Sequence, residues 1–191
     1  PANVDSALGE GALKVFTRKA IYSVTVSPDR ADWVSLQTPL QRVEQINYGA
    51  WSDRSVIPVN GDLFYRSVDG VRSLIEAVRY FQQWGNTPVS TEMQLAIDSD
   101  DKAYIDFTSS IVFNNRLLMT CQPYQATYGV ASKGIMSMDF APLSRMSSKL
   151  PPAWESVWEG LNILQLLKAD FGGNERAFAI VESSLSGNLE V

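Results

Sequence analysis

Histidine is absent from this sequence, and cysteine occurs once, at Cys121. The first absence removes Ser-His-Asp and Cys-His machinery and every His-ligated zinc or haem. The second removes Cys-rich clusters and any intramolecular disulfide, so packing alone must hold the fold. Long apolar runs are also missing: no window approaches the roughly 20 residues that would cross a bilayer as a helix. The N-terminal stretch PANVDSALGEGALK has no basic start followed by an apolar segment and does not read as a signal peptide. Clustered positive charge is lacking too. Sixteen Lys and Arg against twenty-one Asp and Glu leave a formal charge of -5, with the basic residues scattered singly apart from Arg18-Lys19. Nonspecific nucleic-acid binding needs the opposite, a concentration of Lys and Arg against phosphate.

What is present is enough apolar material for a core, 45% of 191 residues, and a length that suits one globular domain. The clearest local signal runs from residue 55 to 78, where three β-rich segments are joined by Asn60-Gly61 and Asp69-Gly70. Such pairs favour two-residue hairpins because the central positions take positive φ. The segments therefore form an antiparallel meander, with Pro58, which cannot donate to a ladder, at an edge or unpaired position.

The layout returns. Ser109–Phe113 and Arg116–Thr120 flank Asn114-Asn115, and a further strand is expected over Gly134–Phe140. Later segments flank Gly172-Gly173-Asn174 and Ser186-Gly187, and an earlier pair, Ala12–Thr17 and Ala20–Val26, turns at Arg18-Lys19. The turn residues Gly61, Asn115 and Gly173 stand 54 and 58 residues apart. A period of about 55 residues with three or four short strands matches a β-propeller blade. The expected fold is all-β: antiparallel meanders as blades of a complete or partial propeller over approximately 11–50, 51–100, 101–150 and 151–191, with one or two short helices in loops. A two-sheet sandwich with the same turns stays open. At that period 191 residues hold fewer than the four blades of the smallest closed ring. Together with a strand-like end at Asn188–Val191, this suggests a piece of a longer polypeptide. Ser90–Ile97 reads as a short helix with Thr91 and Gln94 at capping-box spacing. Pro151–Trp158 reads either as a helical turn after Pro or as an extended loop.

Five sets of residues invite a chemical reading. Asp98, Asp100 and Asp101 begin like a calcium loop, but Ala103 stands where glycine is needed and Ser109 where glutamate is needed, so a solvated loop fits better. Ser67-Val68-Asp69-Gly70 is half of the Asp-box of sialidase-type propellers, in which the aspartate is structural. Glu155 and Glu159 beside Trp154 and Trp158 offer two carboxylates next to an aromatic surface, the composition of a glycan-binding or glycan-cleaving site. On a helix, though, that pair would point outward in parallel. Cys121 reads as a small buried apolar residue with no base nearby in sequence. Tyr65, Arg66, Arg72 and Arg116 are the most prominent polar residues of the hairpins, and they read as interblade hydrogen bonds or surface ion pairs. No catalytic, cofactor or metal constellation follows from these residues.

The runs VNGDLFYRSVDGVRSLIEAVRYF, SSIVFNNRLLMT, GIMSMDF and PPAWESVWEGLNILQLLKADFGGNERAFAIVES resemble a group of tailed-phage virion proteins. Their layout is similar to the β-propeller region of the tail tubular protein B family, the nozzle component of short-tailed phages. The likeness runs from about residue 11 to 191. It follows the order Asp62–Val78, the linker Gln82–Pro88, Thr91–Ile97 and Ile111–Thr120. It implies a non-enzymatic structural role in the tail hub or nozzle, with copies in a ring around the DNA channel, assembled in the host cytoplasm. The implied partners are further copies of the chain and other tail or portal-adapter proteins. Specific nucleic-acid binding and a membrane span are not expected. Loops with aromatic tips, Tyr80, Phe81 and Trp84 in one and Tyr124 and Tyr128 in the other, would suit contacts between copies. The competing expectation is a carbohydrate-binding or glycan-cleaving propeller using Trp154, Glu155, Trp158 and Glu159.

Overall fold

The computed structural model of the chain describes residues 2–4, 13–26, 29–35, 40–75, 87–121, 134–140, 153–182 and 188–190. Its architecture follows from the turns. Asn60 and Gly61 have φ of 49° and 82°, Asn114 and Asn115 of 48° and 60°, and Gly172 and Gly173 of 63° and 83°. Each pair closes a two-residue hairpin of the type whose twist matches that of its strands. The strands they join are β5 (Ile57–Val59) with β6 (Asp62–Ser67), β8 (Ser110–Phe113) with β9 (Arg116–Cys121), and β12 (Asn162–Phe171) with β13 (Asn174–Glu182). The second reversal of the 55–78 region is placed one residue earlier than expected. Ser67 pairs with Gly70, so Val68-Asp69 forms the corner and Gly70 opens β7 (Gly70–Ser73).

All sheets are antiparallel and keep chain order. The first holds β1 (Ala2–Val4), β2 (Leu13–Phe16), β3 (Ile21–Val26) and β4 (Leu40–Ile46). The second holds β5 to β7. The third holds β8, β9, β10 (Gly134–Asp139) and β11 (Ala153–Glu159), and the fourth holds β12, β13 and β14 (Leu189–Glu190). The all-β expectation is met. Pro58 lies in β5, an edge strand, as its missing N–H requires.

Three apolar layers bind the sheets into a row. Period-two alternation sends Leu63 and Tyr65 of β6 toward Phe16, Ile21 and Ile46 of the first sheet. Phe64 of β6 and Val71 of β7 point the other way, onto Leu117 and Met119 of β9 and Met136 and Met138 of β10. The opposite face of the third sheet sends Ile111 and Leu118 against Ile163 and Leu166 of the fourth. Because the second and third sheets are covered on both faces, β6 and β9 read as nearly continuous buried runs instead of alternating ones. Phe16–Tyr65 and Phe64–Phe140 edge-to-face pairs, each 5.4 Å between centroids, lock the first two layers.

Three expectations are corrected. Ala153–Glu159 is a strand, neither helical turn nor loop. It pairs with β10 in the third sheet, which therefore extends across the expected division at 150/151. Thr91–Met93 is a 3-10 turn leading into α2 (Gln94–Asp98), α1 being Arg30–Ser35; the capping box does not form, and Gln94 Nε2 instead donates to Asp98 Oδ1 at 2.7 Å. The strand expected to run to residue 78 ends at Ser73, and Leu74-Ile75 turn helical.

Candidate functional site

Among the described residues, a group of buried polar side chains lies on the second sheet. Arg66, Arg72 and Tyr65 are among its fully buried side chains, all on β6 and β7. Arg66 and Val71 share the face turned to the third sheet, and the Arg66 guanidinium meets buried Asp100 at 2.8 Å and the Ser67 carbonyl at 3.0 Å. Arg72 and Tyr65 are cross-strand neighbours on the other face. Arg72 reaches Asp69 Oδ2 at 2.5 Å and stacks on the Tyr48 ring at 4.0 Å. Burial works against ionisation of Asp69, but hydrogen bonds from Arg72 and Ser67 and the charge of Arg72 outweigh it and hold the carboxyl below its usual range. Burial pushes the Tyr65 phenol well above its ordinary value, and its hydroxyl has no hydrogen-bond partner. The arrangement is structural. Asp69 stabilises its own corner, as expected of an Asp-box aspartate, and Asp100 is committed to Arg66 and so is lost to a calcium loop.

Cys121 at the end of β9 is buried, and burial, helped by the negative charge of Asp100, pushes its thiol up to about 12. Such a thiol stays protonated and unreactive at neutral pH.

The four residues of the glycan expectation are brought onto one strand, yet they do not share a face. Trp154 packs into the second–third interface and donates its indole N–H to the Val89 carbonyl at 2.9 Å. A bulge follows, and Glu155 takes both arms of Arg116, at 2.8 and 3.1 Å, plus the Ser137 hydroxyl at 2.9 Å. The hydrogen bond from Arg116 leads in holding the Glu155 carboxyl low. Trp158 is 52% exposed beside Glu159. Glu155 is thus one arm of an ion pair with Arg116, held further by Ser137. Tyr80, Phe81, Trp84, Tyr124 and Tyr128 lie outside the described residues.

One cleft was invisible in the sequence. About 400 Å³ in volume, it opens between the β2–β3 loop and the turns near residues 51 and 106, and is lined by Phe16, Thr17, Arg18, Trp51, Asp53 and Asp106. Arg18 lies over the Trp51 ring, 5.2 Å from its centroid, and pairs with Asp106 Oδ2. Asp106 Oδ1 is buried without a partner. Eighty-eight residues separate Arg18 from Asp106, so no local pattern announces the pairing. Its chemistry is that of a latch between the first sheet and the second–third linker.

No protein-family model matches the chain, and no curated protein matches it. The functional reading therefore rests on the residues and their arrangement. Among the described residues no three His, Cys, Asp or Glu side chains gather to hold a metal ion, and no helix is long and apolar enough to cross a membrane.

Proposed function

We propose that this chain is a non-enzymatic structural component of a tailed-phage virion, in the tail hub or nozzle, with copies arranged in a ring around the DNA channel. The observation that carries the reading is the row of consecutive antiparallel meanders packed face to face in chain order. Stacked meanders of this kind are read here as blades of a partial β-propeller. The resemblance of the hairpin runs to the tail tubular protein B family supplies the context. The buried Arg66–Asp100 ion pair and the bidentate Arg116–Glu155 contact commit charged groups to rigidity, which suits a protein whose work is to keep its shape. A formal charge of -5 would keep passing DNA from adhering to a channel wall, since like charges repel. Other tail or portal-adapter proteins would be its neighbours. Quantitative mass spectrometry of purified particles, with imaging of the full-length protein, tests this. A fixed copy number and rings are expected; absence from particles, or a stable monomer that binds no virion component, overturns it.

The half-exposed Trp158 favours a second reading, a carbohydrate-binding module without cleavage. That reading expects thermal stability to rise with an oligosaccharide and the rise to vanish in Trp158→Ala.

A further inference from the structure

The fourth sheet has two unlike faces. Cross-strand register places Ile163 with Val181 and Leu166 with Ala179 on the face that packs against the third sheet. The opposite face carries Leu167 beside Phe178, Ile180 beside Gln165, and Phe171 in ring contact with Phe178 at 5.4 Å. Leu189 of β14, paired with Glu182, extends it. On this face Leu167, Phe171 and Leu189 are 38, 57 and 66% exposed. Exposed apolar side chains gathered on an outer sheet face mark a contact surface.

The order of side chains along β13 says what fits it. On the open face the strand reads Arg176, Phe178, Ile180, Glu182: a positive end, two apolar residues, a negative end. Rotation by a half-turn about an axis running across the strands, between Phe178 and Ile180, exchanges the two ends. Arg176 then faces Glu182 of a second copy, Phe178 faces Ile180, and the same contacts repeat on the other side of the axis. The sequence of charge and apolarity is complementary to itself, which is what an isologous contact requires.

We propose that the outer face of the fourth sheet pairs with the same face of a second copy of this chain about a two-fold axis. The two sheets stack at the usual face-to-face distance of about 10 Å, with Phe178 over Ile180 in the middle, Leu167 set over Gln165 of the other copy, and the Arg176–Glu182 pairs at both rims. The inference rests on the fourth sheet alone and not on the virion reading. A ring built by rotation uses a different, head-to-tail contact, and a ring that used both would have dihedral symmetry.

The test is sedimentation velocity of the whole chain over a concentration series, with Trp fluorescence and thermal unfolding confirming that each variant folds. The wild-type chain should pass from monomer to dimer, and Leu167→Lys should remain a monomer. Arg176→Glu and Glu182→Arg should each weaken the dimer about tenfold, since each sets like charges opposite one another at two sites. The double swap Arg176→Glu with Glu182→Arg should restore wild-type association, and this reversal keeps the proposal testable even where Leu167→Lys unfolds. Monomer at every concentration, a dimer indifferent to Leu167→Lys, or a double swap that fails to restore pairing each overturns it.

Discussion

Tyr65 shows how burial and satisfaction part company in single residues. Its ring packs edge-on against Phe16 and its backbone completes the pairing with Arg72, but its hydroxyl is buried with nothing to bond. A desolvated hydroxyl without a partner costs about 1–3 kcal/mol. Tyr65→Phe keeps the ring and removes the cost, so it should raise stability by about 1 kcal/mol, measured by urea denaturation. An equal loss instead would mean that the hydroxyl is satisfied. Cys121 gives a second test at this scale. With its thiol pushed up to about 12 by burial, it should ignore an aromatic disulfide reagent at pH 8 and react at once in denaturant. Fast labelling of the native protein would refute the buried assignment. These two residues were only partly legible beforehand: apolar neighbours in β9 announced that Cys121 is buried, while nothing near Tyr65 announced that its hydroxyl would lack a partner.

Elements show where local signals suffice. Hairpins closed by Asn60-Gly61, Asn114-Asn115 and Gly172-Gly173 were readable because positive φ is a property of a few adjacent residues. β11 was not. Its Trp-Glu-Ser-Val-Trp run lacks clean alternation because a bulge sits between the partners of Ser137 and Met138, and its pairing partner β10 lies beyond a long connection. The same pairing explains Gly134. A Cβ there would stand 1.7 Å from the Trp158 carbonyl oxygen, so β10 and β11 come together only if the residue is glycine. Gly134→Ala should detach β11 from the sheet. Hydrogen exchange should then quicken across residues 153–159 while the amides of β6 keep their protection. Unchanged protection in β11 would show that the backbone can give way.

Across the molecule, the charged groups that matter are those the sheets bring together. Asp69 and Glu155 both have carboxyls held below the ordinary range, Asp69 against the opposing effect of its own burial and Glu155 chiefly by Arg116. For a depressed acid the stabilisation is fully present above its unfolded value and is lost as pH falls through the folded one. The contribution of these two groups should therefore be present down to about pH 4 and fall away below it, with that of partly exposed Glu155 the smaller. Asp69→Asn should flatten that acid limb, and an unchanged slope in pH-dependent thermal unfolding would discount the Arg72 contact. The sequence by itself determined the class of the fold, its turns, its edge proline and the chemistry that zero histidines and one cysteine exclude, because each depends on residue type or on neighbours a few positions away. Only the tertiary structure decided that Arg66 finds Asp100 across 34 residues, that Arg18 finds Asp106 across 88, and that one face of β13 is left open with opposite charges at its two ends. Those outcomes depend on which sheet faces meet, and the order of residues along a strand does not state that until the sheets are stacked.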